Sequence, residues 1–97
     1  METIPERIAK LRKQGYTEDF NIKKDHLETW DHRLNLKHED FVVDRVFRFD
    51  EDSDPAGQSI LYAITSPTHN LKGILIDGYG TFSEDTDDEM VKKLREH

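Results

Sequence analysis

The chain contains no cysteine, which excludes disulfides, thiolate metal sites and cysteine nucleophiles. It is also short of positive charge. Fourteen Lys and Arg stand against 21 Asp and Glu, giving a formal net charge of -7 and a pI near 5.1. A sequence-independent grip on DNA or RNA needs clustered cations in excess, and an anionic membrane needs the same, so neither nucleic acid nor membrane is expected as a partner. No apolar run approaches the roughly 20 residues that span a bilayer. Met1 to Gln14 is too densely charged for an export signal, and a cytoplasmic location is expected.

Apolar residues are scarce as well, at 34% against 36% charged. Leu, Ile, Val and Phe nevertheless make up 24 of 97 residues, above the fifth or so that marks intrinsic disorder. One domain spanning residues 1–97, built around a small core, is therefore expected. At this length it buries about 60 to 65% of its unfolded surface.

The first element is a helix. Thr3 with Glu6 three residues on forms a capping box, Pro5 occupies the first turn, and Gly15 supplies the left-handed residue past the end. Ile4, Ile8 and Leu11 share one face. The stretch YTEDFNI reads as a loop leading into a short extended piece. Trp30, His32, Leu34 and Leu36 alternate with polar residues, as in a strand with one wet face. The alternation resumes at Phe41, placing Phe41, Val43, Arg45, Phe47 and Phe49 opposite Asp44, Val46, Arg48 and Asp50. ILYAITS and ILI are apolar on both faces and read as central strands, joined by a hairpin loop of about eight residues. A closing helix is opened by Thr86 and Glu89, with Met90, Val91 and Leu94 toward the sheet. The expected fold is α+β: a four-stranded antiparallel meander with both helices on one face, αββββα in two layers.

GILIDGYGTF, from Gly73 to Phe82, poses the main chemical question. A ribose-phosphate loop ends a buried strand in two acids followed by small residues, and holds the phosphate on helix-start amides. Asp77, Gly78, Tyr79, Gly80 and Thr81 are the ligand candidates, with Gly78 standing where the second acid belongs. Asp77 is also the best single candidate for acid and base work, although no partner can be assigned to it. Two features oppose the reading. Asp87, Asp88 and Glu89 already occupy the positive end of the closing helix, and a meander offers no parallel strands. Glycines that shape the end of a strand explain the stretch more simply.

The pieces GYTEDF, LNLKHEDF, ILYAI, KGILIDGYG and MVKKL together resemble a family of small uncharacterised bacterial proteins of about this length. The similarity covers nearly the whole chain. Members often carry the label phosphoribosylpyrophosphate synthetase, so the resemblance implies a fold and that label, but no site residues. True synthetases are several times longer, with paired domains and metal-binding histidines that have no counterpart here.

Asp50, Asp52 and Asp54 have the spacing of the first three ligands of a calcium loop. Pro55 stands at the position of the turn glycine and Leu61 at that of the bidentate Glu, which leaves a solvated acidic loop with weak divalent binding as its residual chemistry. His26, His32, His38 and His69 show no zinc spacing. No cofactor is implied. The reading that fits best is a small regulatory or interaction module without catalytic activity. It would bind a protein partner or itself through an open sheet face lined by Asp44, Val46, Arg48 and Asp50 together with Asp31 and Arg33, with Trp30 as a candidate anchor.

Overall fold

The computed structural model describes residues 2–50, 58–78 and 88–95. Its elements run α1 (Ile4–Lys13), β1 (Glu18–Ile22), β2 (Leu27–Thr29), β3 (Asn35–Leu36), β4 (Val42–Asp50), β5 (Gln58–Ser66), β6 (Leu71–Gly78) and α2 (Asp88–Arg95). The start of α1 follows from its cap. Thr3 has extended backbone and its hydroxyl accepts from the Glu6 amide at 3.3 Å, Pro5 lies in the first turn, and Gly15 takes φ 100° just past the end.

The four-stranded antiparallel meander is overturned. The strands form one six-stranded sheet in the order β3-β2-β1-β6-β5-β4, and β1 runs parallel to β6. The stretch YTEDFNI, expected as a loop leading into a short extended piece, holds a strand inside the sheet, with Phe20 opposite Leu75 and only 5% exposed. The β5–β6 connection is also tighter than expected, spanning only 67–70, with Asn70 at φ 54°.

The helices do not share a face. Successive residues of a strand point to opposite sides. Leu61, Ala63 and Ile74 pack with Leu11 of α1, while Tyr62, Ile64 and Leu75 pack with Met90 and Leu94 of α2. The sheet is thus the middle of three layers. This is why β5 and β6 are apolar on both sides, the pattern of strands covered twice.

The strand expected over Trp30 to Lys37 is replaced by the short hairpin of β2 and β3, and Trp30 to Leu34 forms its turn. The alternation expected along β4 is interrupted. Val43 faces Ile64 and Arg45 faces Ala63, so Asp44 is an extra residue in a bulge. Beyond it the faces exchange. Phe41, Val43 and Val46 belong to the α2 side, and Phe47 and Phe49 to the α1 side. No single open face collects Asp44, Val46, Arg48, Asp31 and Arg33, because Val46 packs against the core while Asp31 and Arg33 lie in the β2–β3 turn.

Candidate functional site

The turn after β2 is built by one threonine and one aspartate. Thr29, 2% exposed, donates its hydroxyl to Asp31 Oδ1 at 2.7 Å and accepts from the Leu34 amide at 3.2 Å. Asp31 Oδ1 also accepts from the Arg33 amide at 3.2 Å, and His32 N donates to Thr29 O at 2.9 Å. These bonds hold His32 at φ 62°, a left-handed conformation that a histidine rarely takes without such support. They also keep the Asp31 carboxyl below its ordinary range, the Thr29 hydroxyl contributing most.

The turn aims Trp30 outward. Its amide is tied to β1 by a bond to Asp19 O at 2.9 Å, yet the residue is 70% exposed. On the same side of the sheet, Ile76 is 46% exposed. The α1 cluster covers Leu61, Ala63 and Ile74, with Phe47 and Phe49 packed against it, and leaves Ile76, opposite Leu61, outside its cover. Asp19, Phe20, Asn21, Trp30, Ile74 and Ile76 line a groove of about 260 Å³ there. Its acidic wall is fixed by Arg12, whose guanidinium meets Asp19 Oδ1 at 2.6 Å and also donates to Tyr16 O and Glu18 O at 2.9 and 3.3 Å. An apolar floor with one aromatic and one carboxylate at the rim suits a protein side chain.

The remaining candidates fall as follows. Asp77 and Gly78 end β6, the strand expected to lead into the ribose-phosphate loop, and Asp77 is opposite Ile60 of β5. Tyr79, Gly80 and Thr81 lie outside the described residues, as do Asp52 and Asp54 of the acidic loop; the backbone of Asp50 ends β4. The absence of parallel strands, held against the ribose-phosphate reading, is corrected by the β1–β6 pair. Arg33 and Arg48 are exposed, and Val46 is half-buried. Thr86, expected to open the closing helix, is also outside the described residues.

No group of three or more His, Asp or Glu residues suited to a metal ion occurs among the described residues. Three of the candidate histidines face carboxylates in ordinary pairs. His26 Nδ1 lies 2.7 Å from Asp25, His32 Nδ1 lies against Glu28, and His38 reaches Glu89 of α2 at 3.7 Å. No helix among the described residues is long and apolar enough to cross a membrane.

Sequence reasoning missed Ile76, Asn21 and Asp19. ILI carried only a partial signal, since a strand apolar on both faces needs two covers, and which of its residues α1 leaves bare is decided by packing. In comparisons with protein-family models, with curated proteins and with solved structures, nothing matches this chain.

Proposed function

We propose that this protein is a small cytoplasmic binding module without catalytic activity, which receives an apolar side chain of a protein partner in the groove between Trp30 and Ile76. One observation carries the reading. In a chain short of apolar residues, its single tryptophan is 70% exposed beside an isoleucine that is 46% exposed. Exposing that area in water is unfavourable by about 25 cal/mol per Å², and a partner that covers it recovers the difference. Asp19 at the rim favours a basic residue next to the partner's apolar anchor.

A photoreactive amino acid at position 30 tests this, with the same probe at exposed Lys24 as control. Crosslinks to a discrete protein, or to a second copy, are expected from position 30 alone. Equal or no capture from the two positions overturns the reading.

The second reading, binding of a ribose phosphate around residues 74–81, is favoured by the parallel pairing of β1 and β6. Ligands of α/β sheets sit beyond the carboxyl ends of parallel strands, and Asp77 stands at that end of β6. It also agrees with the label attached to the resembled family. Calorimetric titration with phosphoribosylpyrophosphate and Mg²⁺ should then give a binding isotherm that Asp77→Asn abolishes; a flat wild-type titration removes this reading.

A further inference from the structure

The sheet has two unlike edges. One is β3, only two residues long, and the other is β4, with nine. Among the described residues no strand pairs with the outer side of β4, so its outward N–H and C=O groups form a template for another chain. The bulge at Asp44 interrupts one end, leaving Arg45 to Phe49 as a regular run against Ala63 to Ser59.

Two exposed guanidiniums flank that run. Arg7, Arg12 and Arg33 each face a carboxylate, at 2.6, 2.6 and 3.4 Å. Arg45 and Arg48 are exposed and have no ion pair among the described residues. Asp44, next to Arg45 in sequence, is already engaged: its Oδ2 accepts from Tyr16 at 2.7 Å and from the Thr65 hydroxyl. Arg45 lies opposite Ala63, on the α1 side, and Arg48 opposite Ile60, on the α2 side, so the two charges stand on opposite faces of the open edge. Asp44, Arg45, Val46 and Arg48 line a groove of about 420 Å³.

We propose that an extended acidic segment of a partner protein adds to β4 as a seventh strand, with two carboxylates three residues apart set opposite Arg45 and Arg48. Residues three apart on a strand point to opposite faces, as these two arginines do. The two intervening residues would lie opposite half-buried Val46 and Phe47 and should be apolar. The backbone supplies affinity and the paired charges supply register, the logic of strand addition. A second copy of β4 does not fit. With the two-fold at Val46, Arg45 meets Phe47 and Arg48 meets Asp44, whose carboxylate is taken; with it at Phe47, Arg45 meets Phe49 and Arg48 meets Val46. The chain's net negative charge does not forbid an acidic partner, because beyond about 8 Å it is screened at physiological salt.

The test uses the full chain, labelled with ¹⁵N, and three probes: acetyl-Thr-Glu-Ile-Val-Glu-Thr-amide, its counterpart with Lys for Glu, and the acidic peptide N-methylated at alternate residues in each of the two phases. The acidic peptide should shift and protect amides of residues 45–49. The lysine peptide should bind at least about tenfold more weakly, and one phase of N-methylation should abolish binding. In the double variant Arg45→Glu with Arg48→Glu the preference should invert; both side chains are exposed, so the amide spectrum should otherwise remain that of the wild type. Four results overturn the proposal: no shift at residues 45–49 at millimolar peptide, equal binding of the two charges, indifference to both methylation phases, or a peptide-free dimer in which these amides are already protected. None depends on the Trp30 groove, whose amides should stay unshifted.

Discussion

The Tyr16 hydroxyl donates to Asp44 Oδ2 at 2.7 Å, joining the segment after α1 to the bulge of β4, 28 residues away in sequence. Thr65 donates to the same oxygen, and Lys72 places its ammonium 4.2 Å from the Tyr16 ring centre. One carboxylate thus fixes the residue at which β4 exchanges its faces.

Tyr16→Phe should lower stability by about 1 kcal/mol, the usual net worth of one hydrogen bond. The wild type carries a further signature in alkali. Burial first, and the bond to Asp44 second, raise the Tyr16 pKa above its ordinary value. A group whose pKa is raised in the folded state stabilises fully below its unfolded pKa, near 10, and loses that contribution as pH climbs through the folded value. Urea midpoints from pH 8 to 11 should therefore fall more steeply for wild type than for Tyr16→Phe. Parallel curves would rule this out.

Gly73 lies opposite Glu18 in the parallel pair, where a Cβ would stand 2.5 Å from Glu18 O and 2.7 Å from the Phe20 ring. The obstacle is backbone and cannot rotate away. Gly73→Ala should cost at least 1 to 3 kcal/mol, the range for overpacking, and should broaden β1 amide signals before those of β4. Loss spread evenly over the sheet would argue against the tight β1–β6 approach.

Leu11 is fully buried between α1 and the strands carrying Leu61, Ala63 and Ile74. Leu11→Ala should cost about 2 to 5 kcal/mol. Chemical denaturation measures it, and a loss below 1 kcal/mol would mean that α1 is only loosely docked.

In the β2–β3 hairpin the bond with His32 is the largest cause holding the Glu28 carboxyl below its ordinary range. A depressed carboxylate stabilises above its unfolded pKa, near 4.3, and that contribution disappears as pH falls through the lower folded value. Glu28→Gln should lower stability slightly at pH 7, where the contribution is fully present, and flatten the acid limb of the stability curve, so that variant and wild type converge below about pH 4.3. An unchanged acid limb would show that the pair contributes nothing measurable, as many exposed pairs do.

Trp30→Ala should leave the thermal midpoint almost unchanged, because the side chain makes little of the core, while abolishing capture by the groove. Fluorescence of this sole tryptophan should also shift to the blue when the groove is filled. A large loss of stability would instead give Trp30 a packing role.

What was legible in the sequence was local. Thr3, Pro5 and Gly15 marked α1 because a cap is settled within a few residues, and ILYAITS and ILI marked central strands because burial on both sides leaves few polar positions, although the helices were expected on one face only. The missing cysteines excluded thiol chemistry in the same direct way.

Tertiary structure decided the rest. The place of β1 beside β6 joins residues more than 50 positions apart, and its sequence, EDFNI, carries no period that could have announced it. The bulge at Asp44 inverts every later side chain of β4, since one extra residue shifts a period of two, and it is held by Tyr16 and Thr65 from elsewhere in the chain. Trp30 alternated like a core residue, yet the Thr29 and Asp31 bonds turn the backbone there and leave the indole in water. Caps and periods are fixed by neighbours along the chain, whereas pairing, face and exposure depend on groups that only folding brings together.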